Sequence, residues 1–283
     1  MMRRLVVLLG ALLLMSNAFA SATEEVAKKQ IESSMLVSGT VEINPDGSVR
    51  AYAIDQAKSL GPALNEFIRQ AVMTWKFRID TKEPVIAKAK MTLRLVAKSV
   101  DEKHDTLTIG SSSIGESDEA PSDSISWDRR LAPTYPKAAM DSGLTGVVYV
   151  LVMVDKDGTV KNAAVEQVNL TSYQPGWRTD VMRKILADAA LKPTSRWTFH
   201  VPTTGKQVSA PYWLARVPVA FTSFGDSRRE PFGQWQTYLR GPRQSISWVD
   251  NPSLLASNPD TVPDGAVKTV GLELRKLEGS DGT

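Results

Sequence analysis

Few residues in this chain of 283 could do chemistry. There are two histidines, His104 and His200, and no cysteine. A His-based catalytic relay or a His pair on a metal is therefore hard to assemble, and thiolate metal sites, disulfides and thiol catalysis are excluded. Carboxylates occur as Asp101-Glu102 and Asp118-Glu119, in a polar stretch where they read as solvation. Asp46 and Asp157 stand in Asp-Gly turns, where Asp stabilises the bend. Ser111, Ser112 and Ser113 lack the strand-to-helix Gly-x-Ser-x-Gly setting of a nucleophile, and no glycine-rich loop has phosphate-binding spacing. Asn169-Leu170-Thr171 is formally a glycosylation sequon. The expectation is a non-enzyme with no cofactor, no metal and no small-molecule substrate.

What remains is recognition, and its placement starts at the N-terminus. Arg3-Arg4, an apolar run from Leu5 to Met15 and Ala18-Phe19-Ala20 form a secretory leader over residues 1–20, with the mature chain expected from Ser21. The alternative is an uncleaved anchor, although the run is shorter than the ~20 residues of a membrane span. The formal charge is +3; taking Arg3 and Arg4 from 34 basic residues, against 31 acidic, leaves +1. That balance is no footprint for nucleic acid.

Two stretches share one order of elements. Residues 24–33 suit a short helix, and Met35, Val37, Gly39, Val41 and Ile43 then alternate as a half-buried strand. Asn44-Pro45-Asp46-Gly47 turns the chain into a second strand, Val49 to Ile54. An amphipathic helix from Leu60 runs towards Trp75-Lys76-Phe77, and Lys90 to Val96 gives a further strand. Farther on, Gly146 opens an apolar strand, Asp157-Gly158-Thr159-Val160 turns it back, and a helix leads to Trp197-Thr198-Phe199. Asp46-Gly47-Ser48-Val49 matches Asp157-Gly158-Thr159-Val160, and Trp75-x-Phe77 matches Trp197-x-Phe199. Two tandem copies of one small domain are expected, over 24–98 and 129–224, with chance similarity of two αβ segments as the alternative. Gly47, Trp75, Phe77, Gly146, Gly158, Trp197 and Phe199 are the structural positions, the Trp-x-Phe pairs plugging the core between helix and sheet. Residues 99–128 are expected as a polar linker, with a short strand at Thr106 to Ile109, and 225–283 as an extension packed back on the second domain. Val267 to Leu277 alternates as a strand.

The strand after Gly146 is apolar on both faces: Val147, Tyr149, Leu151 and Met153 on one, Val148, Val150, Val152 and Val154 on the other. Both faces must be covered. The first domain, the C-terminal segment and a second subunit are the candidates, with cover from within the chain preferred and self-association as the alternative.

The order Tyr135-Pro136-x-x-Ala139, Gly143-x-x-Gly146, alternating Val, Asp157-Gly158-x-Val160, helix, Trp197-x-Phe199 resembles the C-terminal domain of TonB-family energy transducers. The resemblance implies an α+β fold: two tandem three-stranded antiparallel sheets, each with helices on one face, the first copy degenerate because it lacks a Tyr-Pro motif. It also implies a periplasmic setting and a protein partner, an extended segment of an outer-membrane receptor that adds as a strand to the last strand's edge. Carried over, the partner-binding residues are Thr134, Tyr135 and Pro136 with Leu214, Arg216, Pro218, Ala220 and Thr222. Thr134 stands where transducers often have Gln, Pro193 should end the helix near Leu191, and Pro218 removes a donor from the edge strand. The leader is not followed by a long Pro-rich spacer; if retained, Ser21 to Ser34 would reach roughly 50 Å at ~3.5 Å per residue. The expected function is thus a periplasmic TonB-like module recognising an extended peptide or partner strand. The alternative is a membrane-anchored transducer serving outer-membrane receptors with an ExbB/ExbD-like motor.

Overall fold

The computed structural model describes residues 31–79, 85–99, 105–116, 121–205, 207–222, 232–271 and 276–277. The leader and residues 24–30 lie outside them. The fold is α+β, with antiparallel sheets and few helices.

In the first unit, β1 (Glu32–Ile43) turns into β2 (Val49–Ile54), α1 (Ala57–Val72) follows, and β3 (Ala87–Ser99) returns along nearly the whole of β1. Met35, Val37, Val41 and Ile43 of β1 and Met91, Leu93 and Leu95 of β3 point to one side, where Leu60, Ile68 and Val72 of α1 cover them. Pro62 disfavours helical geometry in the residue before it, and Gly61 leaves the helix there with φ 76°. Glu32 and Ser33 pair with Tyr238 and Thr237, so the helix expected over 24–33 does not extend that far. Residues 105–116 also correct the sequence reading. They form a twelve-residue strand, β4 (Asp105–Glu116), paired to β3, where a solvated linker with a four-residue strand is expected. Gly110 is an extra residue in the ladder and shifts the alternation of faces partway along β4.

The second unit begins with β5 (Ser126–Arg129) and α2 (Lys137–Asp141), then the hairpin β6 (Gly146–Val154) and β7 (Val160–Leu170). α3 (Thr179–Leu191) stops before Pro193, β8 (Thr198–His200) pairs with β5, and β9 (Trp213–Phe221) pairs with β6. Every residue of β6 is buried. Val148, Val150, Val152 and Val154 pack with Ala139, Leu186, Ala189, Ala190 and Trp197. On the other face, Leu151 and Met153 join Leu214 under Ile246, Val249 and Val270. The C-terminal segment is therefore the second cover that the doubly apolar strand requires.

That segment does more than pack on one unit. β10 (Gln236–Tyr238) pairs with β1, and the next residue, Leu239, exchanges two backbone hydrogen bonds with Leu170 of β7, at 2.8 and 3.0 Å. The Gln244 amide donates to the Glu166 carbonyl at 2.8 Å, β11 (Lys268–Thr269) pairs with β9, and the Leu277 amide donates to the Lys76 carbonyl at 2.8 Å. Each sheet thus gains strands beyond the expected three. The first runs β10-β1-β3-β4 with β2 also on β1, and the second runs β11-β9-β6-β7. Between the units, Asp260 is fully buried. Its carboxylate accepts from Ser111 Oγ at 2.7 Å and from the Tyr238 hydroxyl. Its backbone carbonyl accepts from Arg94 Nε at 2.8 Å, while Arg94 also donates to Ser34 Oγ at 2.9 Å. Burial, and then the Asp260 charge, push the Tyr238 hydroxyl pKa well above its ordinary value.

The hairpin turns of the two units have one geometry. Gly47 takes φ 84° and Gly158 φ 81°, and a Cβ would lie 2.0 Å from the Phe77 carbonyl oxygen in one and 2.2 Å from that of Phe199 in the other. The Phe77 amide donates to the Gly47 carbonyl at 2.8 Å, and the Phe199 amide to that of Gly158 at 2.9 Å. Trp75 and Trp197, just before, are both buried.

Candidate functional site

The expected partner edge is the side of β9 turned away from β6. In an antiparallel ladder, a residue's N–H and C=O point to the same side, and alternate residues serve alternate neighbours. Leu214 accepts from the Val270 amide at 2.8 Å, Arg216 lies opposite Lys268, and the Ala220 amide donates to the Asp264 carboxylate at 3.3 Å. Leu214, Arg216, Pro218 and Ala220 are therefore the β9 residues whose backbone groups face outward, and Thr222 follows the last residue of the strand. Pro218 falls at an outward position, so its missing donor leaves the β6 ladder intact. The upstream part of the edge is already paired, by β11 of the same chain.

Their side chains divide along the strand. Leu214, Arg216 and Pro218 are buried, Ala220 is half-buried, and Thr222 is exposed. Arg216 is only 1% exposed and holds the fully buried Glu166 through two bonds, Nε to Oε2 at 2.7 Å and Nη2 to Oε1 at 2.9 Å. Arg243 of the C-terminal segment adds a second cation, with Nη2 at 2.5 Å from Oε1. The Leu214, Arg216 and Pro218 side chains are thus internal, which corrects their expected place in partner contact. The reason is the cover that the C-terminal segment lays over this face.

At the other end of β9, Tyr135 reaches the strand. The Tyr135 ring packs edge-on against Phe221 with centroids 5.2 Å apart, and its hydroxyl donates to the Leu144 carbonyl. Burial raises its pKa. Pro136 precedes α2 as its cap, and Thr134 is exposed. Tyr135 is thereby held beside the last residue of β9, with Thr134 and Pro136 next to it in the chain. Gly146 opens β6 where a Cβ would lie 2.6 Å from the Asn169 carbonyl oxygen, and Trp197 Nε1 donates to the Leu131 carbonyl at 2.8 Å, tying the entry to Tyr135 onto the core. His200 lies 3.8 Å from Asp128 on the exposed surface, and His104 is outside the described residues. Among the described residues, no three His, Asp or Glu side chains gather as a metal site.

Sequence reasoning missed Glu166 and Asp260. Glu166 carried a signal, since it is a charge set among Val165, Gln167 and Val168 in β7 while Arg216 is a lone charge in the apolar Trp213–Phe221 run. Opposite charges in two such strands ask to be paired. Asp260 carried none.

Residues 132–170 match the family described as Gram-negative bacterial TonB protein C-terminal. They run from the entry to Tyr135 through α2, β6 and β7, so this part of the chain is similar to a TonB C-terminal domain. Neither the curated proteins nor the solved structures give a match to the chain. Among the described residues, no helix is long and apolar enough to cross a membrane.

Proposed function

We propose that this protein is an exported, periplasmic TonB-like binding protein, non-enzymatic, that takes up an extended segment of a protein partner by strand addition to β9. The observation that carries this reading is β11. The chain's own segment pairs antiparallel with β9 at Arg216 and Ala215, which makes this edge one that accepts an added strand. The partner enters at the end beside Tyr135, where Ala220 faces outward and Thr222 is exposed, and extends towards Leu214 by displacing β11. An outer-membrane receptor segment is the partner that the family match supports. The first unit is a degenerate copy of the second. The shared geometry of the Gly47 and Gly158 turns supports duplication, and the absence of a Tyr-Pro motif before β1 leaves that copy without a counterpart of the β9 end.

The test is photo-crosslinking in the native host, with a benzophenone amino acid at Thr222 and, as control, at Lys161 on β7. A crosslink from position 222 to an envelope protein is expected. It should fade when an excess of a peptide reproducing residues 264–271 is added. A crosslink indifferent to that peptide, or equal from both positions, sinks strand addition at β9.

A further inference from the structure

β11 is too short to be held on β9 by its ladder alone. Lys268 lies opposite Arg216 and Thr269 opposite Ala215, and the Val270 amide donates to the Leu214 carbonyl at 2.8 Å. So brief a pairing is marginal in water unless something else fixes its ends. Here the other unit fixes both. Upstream, the buried Asp260 carboxylate accepts from Ser111 Oγ at 2.7 Å, and its carbonyl accepts from Arg94 Nε at 2.8 Å. Ser111 lies in β4 and Arg94 in β3, so this hold belongs to the first sheet. Downstream, Lys276 bridges Phe77 antiparallel, and the Leu277 amide donates to the Lys76 carbonyl at 2.8 Å. Between the two holds, Thr269 Oγ1 accepts from the Ile125 amide at 3.2 Å, and Val270 is buried with Leu151, Met153 and Leu214 of the second unit. A strand tethered on both sides meets β9 at high effective concentration, however short its own ladder.

We propose that the first unit regulates the β9 edge: by gripping the C-terminal segment on either side of β11, it keeps that strand in the place a partner segment takes. This control rests on β9 being the partner's entry. A partner pairs only with chains whose β11 has left the edge, so its apparent affinity is reduced by the fraction of chains in that state. Loosening the hold at Ser111 or at Lys76 raises that fraction. By linkage the effect runs both ways. A segment bound along β9 drives β11 off and weakens the grip of the first unit on Asp260 and Leu277. Occupancy of the edge is thus transmitted to the joint between the units.

The experiment compares the mature chain with Ser111→Ala, which removes a donor from the upstream hold, and with Leu277→Pro, which removes the amide of the downstream one. Leu277 is exposed, so the second change leaves the core alone. The probe is a fluorescein-labelled peptide reproducing residues 264–271, followed by anisotropy, with amide exchange read at Val270 and at Val150 in the central strand β6. Each variant should exchange Val270 about tenfold faster and bind the peptide about tenfold more tightly, the factor that corresponds to one lost hydrogen bond. Val150 should keep its protection. Equal peptide binding by all three chains, with Val270 exchange unchanged, would overturn the control by the first unit and leave β9 as the entry. Faster Val270 exchange with no peptide bound by any chain would sink the reading of β9, and the control with it. Equal acceleration at Val150 would show that the variants loosen the whole chain rather than β11, and that too ends the proposal.

Discussion

Asp46 and Asp157 each accept a backbone amide and a hydroxyl from the residue two positions on, Ser48 at 2.9 and 2.6 Å and Thr159 at 2.9 and 2.7 Å. These hydrogen bonds hold both carboxyls below the ordinary carboxylate range. A pKa depressed in the folded state adds stability that is complete above the unfolded value, about 4, and is lost as pH falls through the folded value. The double variant Asp46→Ala with Asp157→Ala should therefore lose less stability than the parent between pH 7 and pH 3, as read from urea midpoints. Equal losses would remove these turns from the acid response. Arg216 is a different case, because its partner Glu166 is fully buried. Arg216→Ala leaves Glu166 with Arg243 alone and should cost about 3 kcal/mol in urea unfolding, more than an exposed pair such as Lys137–Asp141 could contribute. A loss below ~1 kcal/mol would mean that Arg243 suffices.

At the scale of elements, legibility followed length and period. β6 was readable on both faces because nine apolar residues in a row ask for two covers, and α3 ended at Leu191 because Pro193 follows. β4 was not readable. Gly110 breaks the alternation, and Ser111 and Ser113 are buried against Asp260 and Lys268, partners too distant in sequence to leave a pattern. β10 and β11, of three and two residues, are too short to carry a period, so the edge closure of β9 was out of reach. The proposed partner edge was half legible for the same reason. The outward alternation from Leu214 to Thr222 follows from the strand alone, whereas the burial of Leu214 and Arg216 follows from a segment tens of residues away.

At the scale of the molecule, one segment joins two sheets. Tyr238 pairs with β1 and Leu239 with β7, and the Asp260 carboxylate draws Ser111 of one unit onto Tyr238, whose hydroxyl receives Asn169 Nδ2 of the other at 3.5 Å. Asp260→Ala would remove a carboxylate 4.0 Å from the Nε of Arg94, itself 1% exposed. The parent is expected to unfold in one transition, and Asp260→Ala in two, with proteolytic nicking between residues 121 and 125, which lead into the second unit. A single transition in the variant, with unchanged protease resistance, would show that the packing under Ile246 and Val249 couples the units without Asp260.

The reach of that segment also sets a timetable. A ribosome delivers β1 long before β10 and β9 long before β11, so both sheets exist for a while with bare margins. Pairing of Glu32 with Tyr238 closes a loop of about two hundred residues, a slow step by any topological measure. The newborn chain is thus most adhesive just before its last forty residues appear, and whatever escorts it through that interval guards strand margins rather than an unformed core.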